Sequence, residues 1–126
     1  MAANQKLVRR CHERLIELAK KGERTTYGEL AKFLHAEDEP PSQYLNPIYD
    51  GEIEAGRPDI TLIPHYASSC FGKYNSRRGP AQSIVFDKNN PAHVRAYKND
   101  LKRVFMHYQG QLKGPWKDWL ESAGDR

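Results

Sequence analysis

The segment Thr25-Thr26-Tyr27-Gly28-Glu29-Leu30-Ala31 contains the sharpest helix start in the chain. Thr26 followed three residues later by Glu29 fits the capping box, in which the threonine hydroxyl and the glutamate carboxylate satisfy each other's backbone amides. The apolar residues that follow predict a short helix ending near His35. A polar connector over 36–41 then contains two prolines, which excludes continuation of this helix.

Helices are also predicted on both sides of this segment. Apolar residues recur at helical spacing from Leu7, and Gly22 after two lysines is typical of a helix end. A third helix is predicted between 42 and 55. It begins either with Asn46 as its cap and Pro47 as its first helical residue, or with Ser42 as the cap of a longer element that is bent at Pro47.

Further along the chain, the pattern changes to that of strands and then back to that of helices. Residues 60–63 are rich in β-branched side chains, and residues 83–86 form a second apolar run. These runs predict a two-stranded hairpin joined by a long loop over 65–82. After Asn90-Pro91 a single apolar stripe predicts a long helix, and an aromatic segment at about 115–121 predicts a short last helix.

This order of elements is typical of a winged helix, in which three helices precede a two-stranded hairpin and a long C-terminal helix follows. The length of 126 residues favours one domain. The sequence therefore predicts an α+β, winged-helix-like domain over 1–126.

Composition excludes several classes of protein. No apolar run approaches the roughly 18 residues of a membrane helix, and the N-terminus lacks the apolar core of a signal peptide. The two cysteines are too few for a disulfide scaffold, which favours a reducing compartment. We therefore expect a cytoplasmic protein with no membrane partner.

The formal net charge of +4 conceals an uneven distribution. Residues 1–36 contain eight basic and four acidic side chains, and residues 67–126 contain eleven basic and five acidic ones. Residues 37–66 contain seven acidic side chains and one basic side chain. Because the third helix carries several of these carboxylates, its docking on a phosphate backbone is unfavourable.

The basic residues of the loop and of the long helix are better candidates for contact with nucleic acid. The loop mixes cations with aromatic side chains, which suits phosphate contacts and stacking of Phe71 or Tyr74 on an exposed base. The alternative is that the basic residues on the helix form an ordinary solvated face. The predicted binding residues are Lys73, Tyr74, Arg77, Arg78, Arg95, Lys98 and Lys102.

The sequence also contains candidates for a reactive site, for a metal site and for a surface that binds another protein or a ligand. His65, with Asp59 before it and Cys70 after it, is a candidate reactive or polar site, against the alternative of a buried thiol and a hydrogen-bonded histidine. The histidines and cysteines do not pair at metal-ligand spacing, so we expect no metal and no cofactor. The many tyrosines and tryptophans also allow a protein-interaction or ligand-sensing module, with a protein partner or a second copy.

The Thr-Tyr-Gly-Glu start resembles the helix start in the DNA-binding domain of O6-alkylguanine-DNA alkyltransferases and alkyltransferase-like proteins. That family has Ile-Pro-Cys-His-Arg downstream, where this chain has Leu62-Ile63-Pro64-His65-Tyr66. Because the thiol nucleophile is replaced by histidine, the resemblance implies the scaffold without alkyl transfer. The chain also resembles small uncharacterised bacterial and phage proteins over roughly residues 20–108. This resemblance is carried by the Thr-Tyr-Gly-Glu helix start and by the segment Gly56-Arg57-Pro58-Asp59-Ile60-Thr61.

Overall fold

The computed structural model describes residues 4–74, 86–112 and 114–122 of the chain. The α+β class is confirmed, and these residues contain five α-helices, three of them ahead of the position predicted for the hairpin and two after it. The helices are α1 (Gln5–Lys21), α2 (Tyr27–Leu34), α3 (Ser42–Glu54), α4 (Pro91–His107) and α5 (Gly114–Glu121). Two short strands, β1 (Thr25–Thr26) and β2 (Pro64–His65), pair in parallel.

The predicted helix ends are confirmed by the backbone geometry. Gly22 ends α1 with a φ of 69°, and the Thr26 hydroxyl accepts from the Glu29 amide while the Glu29 side chain accepts from the Thr26 amide. The Asn90 side chain accepts from the first amides of α4. For α3 the longer of the two predicted elements is confirmed, with Pro47 inside the helix. Ser42 is its first residue rather than its cap, which is Pro41 and makes no side-chain hydrogen bond.

The strand predicted over 60–63 is wrong. Residues Ile60–Leu62 form a 3₁₀ turn, because the Asp59 carboxylate caps it by accepting from the Thr61 amide at 3.0 Å. Such a bond from a side chain to the backbone competes with sheet pairing. The apolar run instead reflects burial on all sides, since the turn contacts α1, α3 and α4.

The predicted hairpin is replaced, in the part of the chain that is described, by the parallel pairing of β1 with β2. The segment predicted as the first strand of the hairpin contains the 3₁₀ turn instead. Residues 83–85 of its second strand lie outside the described ranges, and Phe86 is not in a strand. Among the described residues, the β pairing therefore joins the capping-box segment to the start of the loop after the turn.

The C-terminal ends of α1 and α4 meet through backbone contacts at Gly110. A Cβ atom there would lie 1.8 Å from the Ala19 carbonyl oxygen, whereas a Cβ at Gly51, inside α3, would meet nothing within 4 Å. We expect Gly110→Ala to lower the free energy of unfolding by about 2 kcal/mol, because backbone must shift to admit the methyl group. Gly51→Ala should instead raise it by up to about 1 kcal/mol.

Urea denaturation of the two alanine variants beside the parent measures both effects. Equal free energies of unfolding for Gly110→Ala and the parent would contradict the close approach of the two helix ends.

Candidate functional site

The structure separates the residues predicted to contact nucleic acid. Lys73 and Arg95 are exposed, and Lys102 is partly exposed. Tyr74 and Lys98 are buried, at 8% and 2% relative exposure. Arg77 and Arg78 lie outside the described residues, so their assignment stays a prediction.

Tyr74 and Lys98 have structural contacts instead of the predicted surface role. The Tyr74 hydroxyl donates to an Asp100 carboxylate oxygen, and its ring lies 5.6 Å from that of Tyr97. Lys98 Nζ donates to Ser122 Oγ at 2.8 Å. Position 98 lies four residues after the buried Val94, so the apolar stripe already placed this lysine on the inner side of α4.

The candidate reactive site does not have the geometry of a nucleophilic triad. In a triad, a carboxylate accepts the Nδ1 proton of the histidine and thereby orients the ring. His65 Nδ1 instead lies 2.8 Å from the Tyr66 carbonyl and 2.9 Å from the Ser69 carbonyl, so it donates to the backbone. The histidine therefore closes a turn. No cluster of potential metal ligands is found in the described parts of the chain.

No sequence pattern pointed to Arg24, which organises the segment next to this turn. Its guanidinium donates to the carbonyls of Leu62 at 2.9 Å, Ile63 at 3.0 Å and Cys70 at 2.6 Å, and to the Tyr97 hydroxyl at 2.8 Å. None of these partners is a carboxylate, and burial lowers the pKa of Arg24. A helical pattern ending at Gly22 gave no signal that a cation two residues later is buried.

The short helix α5 covers this arginine. The Arg24 guanidinium lies 4.7 Å from the Trp116 ring centroid and 5.8 Å from that of Trp119. Trp116 also packs edge-on against His65, with centroids 5.0 Å apart, and Lys98 Nζ lies 4.9 Å from the Trp119 ring. The aromatic helix therefore covers two of the residues that the sequence assigned to a site.

A cleft of about 360 Å³ lies on the molecule where the N-terminal ends of α2 and α3 meet the loop after β2. The rings of Tyr27 and Tyr66 form one wall, with centroids 5.0 Å apart, and Tyr66 is 51% exposed. The lining is mostly apolar and is formed by Tyr27, Pro41, Ser42, Leu45, Asn46, Thr61, Tyr66 and Lys73.

Hydrogen bonds in the loop position Lys73 at this cleft. Its backbone amide donates to the Tyr27 hydroxyl at 2.8 Å, and the amide of Gly72 donates to the Tyr97 hydroxyl at 2.8 Å. A Cβ at Gly72 would lie 2.4 Å from the Pro64 carbonyl oxygen, so this close passage requires glycine. Burial also raises the pKa of Tyr27, which therefore stays protonated and can still donate its own hydroxyl hydrogen.

Thr61 is the most deeply buried polar residue of the cleft lining, at 6% relative exposure. Its hydroxyl and its amide both donate to Asp59 Oδ1. Asp59 Oδ2 is fully buried and has no hydrogen-bond partner among the described residues. Burial of this carboxyl raises its pKa to about 6.

Comparison with known protein families, with curated proteins and with solved structures finds no match to the chain. Among the described residues, no helix is long and apolar enough to cross a membrane. An apolar cleft with tyrosine walls, few polar groups and one lysine is suited to binding a planar ligand.

Proposed function

We propose that this chain is a non-catalytic nucleic-acid-binding protein of winged-helix type that accepts an unpaired base in the cleft and contacts phosphates with exposed cations. The observation that carries the proposal is the pairing of an aromatic wall with a lysine at one apolar cleft. The order of α1, α2 and α3 before the loop supports the winged-helix scaffold as part of the same proposal.

The dimensions and chemistry of the cleft suit a base. Its volume of about 360 Å³ lies at the lower end of the range for small-molecule pockets, which is roughly 300–1,000 Å³. Tyr66 is half-exposed, so its ring can stack on a base, as aromatic side chains do in proteins that bind single strands. Lys73 lines the same cleft, where its ammonium can pair with the phosphate attached to that base.

Further phosphate contacts come from the outer face of α4. Arg95 and Arg103 are exposed on this face, and Lys102 is partly exposed. Arg103 Nη1 lies 3.7 Å from Asp100 Oδ1, which is a long and therefore weak ion pair. We therefore assign Arg95, Lys102 and Arg103 to non-specific contacts, whose strength falls with salt concentration.

Helix α3 is not assigned to the interface. Asp50 and Glu54 on this helix are exposed, so its surface repels phosphates. Glu52 is buried at 1% relative exposure and accepts from Arg57 at 2.9 Å and from Tyr108 at 3.1 Å. One of the three carboxylates of α3 therefore stabilises the contact with α4 rather than facing a ligand.

The proposal predicts salt-dependent binding of single-stranded DNA through the cleft. Tyr66→Ala should weaken this binding about tenfold, because the stacking surface is lost. Lys73→Gln should weaken it and reduce the slope of log affinity against log salt by about one, the loss of one phosphate contact. Fluorescence anisotropy with short single strands and duplexes, at about 50 and about 200 mM salt, measures both effects.

Matched controls separate the cleft from the general surface. Phe33→Ala removes an aromatic ring of similar exposure, 45%, from the outer face of α2, and Lys20→Gln removes an exposed lysine from α1. Both controls should bind like the parent. Failure of the parent to bind either strand form at low salt would reject the proposal.

A ligand-sensing module is the second candidate, and the mostly apolar lining of the cleft favours it. In that case a free planar molecule would bind without a phosphate chain. Binding of a nucleoside as tight as that of an oligonucleotide, with no dependence on salt, would favour this candidate over the first.

A further inference from the structure

The hydroxyl of Thr61 can offer the cleft only an acceptor. A hydroxyl has one hydrogen, and that of Thr61 is donated to Asp59 Oδ1. Asp59 Oδ1 also accepts from the Thr61 amide, at 3.0 Å, so the pair is held by two bonds. A ligand group that meets the Thr61 oxygen must therefore donate.

The negative charge of Asp59, next to Thr61, also favours a ligand group that donates a hydrogen bond. No cation pairs with Asp59 among the described residues, and its Oδ2 is buried without a partner. The carboxylates of Asp100 on α4 and Glu52 on α3 also act on it, and each of them has an arginine partner of its own, Arg103 and Arg57. Lys73 supplies positive charge from the loop side of the cleft. The cleft therefore has a negative end at Asp59 and Thr61 and a positive side at Lys73.

We propose that the cleft selects a planar ligand that donates a hydrogen bond to Thr61, whose own hydroxyl hydrogen is held by Asp59. In nucleic acid the matching group is a base with an exocyclic amino group, such as cytosine or adenine. The inference rests on the proposed function, since it names the class of base that the same cleft accepts.

The expected preference for a base with an exocyclic amino group follows from the burial of Thr61. At 6% relative exposure, its oxygen exchanges little with water once a ligand covers it. An acceptor left unpaired in such a place costs binding energy, so a base without the amino group should bind about tenfold more weakly. The Tyr27 hydroxyl accepts from the Lys73 amide and still has its own hydrogen to donate, so it does not duplicate the role of Thr61.

The test compares bases that differ only in the amino group. Single strands carry one cytosine, or one 2-pyrimidinone (cytosine without its amino group), between abasic sugar-phosphate units. The parent should bind the cytosine strand about tenfold more tightly. Thr61→Val, which keeps the shape of the side chain and removes the hydroxyl, should bind the two strands within about twofold, and Thr61→Ser should restore the preference. Adenine against unsubstituted purine repeats the comparison.

The outcomes separate this inference from the proposed function. Equal binding of both strands by the parent overturns the amino-group preference and leaves nucleic-acid binding in place. A preference that persists in Thr61→Val assigns the selection to another residue and also overturns the inference. Binding of neither strand rejects the proposed function and this inference together. If circular dichroism shows that Thr61→Val does not fold, the binding of the two strands by the parent protein decides whether the amino-group preference exists.

Discussion

Replacing Arg24 by methionine should lower the free energy of unfolding by about 3–5 kcal/mol, measured by urea denaturation. Methionine fills a similar volume but donates nothing, so the Ile63 carbonyl loses its side-chain donor inside the protein and the Leu62 carbonyl keeps only the Tyr97 hydroxyl, at 3.4 Å. Each buried acceptor left without a partner costs about 1–3 kcal/mol. The loss of the contact with the Trp116 ring adds to this cost.

Two comparisons test the cause of that loss. Arg24→Lys keeps the charge but has no planar fork that can reach several carbonyls, so it should recover only a small part of the stability. Arg95→Met removes an exposed arginine from α4 and should change the free energy of unfolding by less than about 0.5 kcal/mol. A loss below about 1 kcal/mol for Arg24→Met would contradict the role assigned to the buried guanidinium.

Asp59→Asn should stabilise the protein at neutral pH by up to about 3 kcal/mol, less the cost of an amide nitrogen that has no partner at the buried Oδ2 position. Burial raises the pKa of the Asp59 carboxyl from 3.8 to about 6, so its ionised form costs stability in the folded state. A shift of about two units corresponds to about 3 kcal/mol. Asparagine has no charge and its carbonyl oxygen can still accept from the Thr61 amide, so the cap of the 3₁₀ turn is kept.

The pH dependence has a defined sign. Between pH 3.8 and about 6 the folded state holds the Asp59 proton and the unfolded state releases it, so the parent loses stability as the pH rises. Above about 6 the cost is complete. The gain from Asp59→Asn should therefore be small near pH 4 and reach its full size at pH 7.

Urea denaturation at both pH values measures this gain, with the exposed Asp38→Asn as the matched control. A difference between Asp59→Asn and the parent that is the same at pH 4 and pH 7 would contradict the raised pKa of Asp59.

Much of the helical framework could be predicted from local signals. The capping box at Thr26 and the cap at Asn90 act through bonds between neighbours in sequence, so their effects are readable without the fold. The run from Ile60 to Ile63 was misassigned because burial on every side gives the same apolar pattern in a 3₁₀ turn as in a strand.

The candidate site was less predictable because it is made by contacts between distant segments. Lys73 was predicted as a contact, and it does line the cleft. Its aromatic partners there are Tyr27 and Tyr66 rather than the predicted Phe71 or Tyr74, whose rings pack against Tyr97. Which tyrosine faces solvent depends on how the loop folds back after β2, and spacing along the chain carries no information on that.

The contacts of Arg24 also constrain the order in which the chain can fold. Its guanidinium donates to four residues that lie 38, 39, 46 and 73 positions further along the chain, namely Leu62, Ile63, Cys70 and Tyr97. Helix α5, which covers the guanidinium, comes later in the sequence than all of them. Helices α1 and α2 rely on nearby residues and can form early, but the arginine stays hydrated until these partners are in place. During synthesis on the ribosome, the aromatic cover over Arg24 therefore cannot form until α5 has emerged, so a nascent chain that stops short of α5 lacks the Trp116 and Trp119 contacts with this cation.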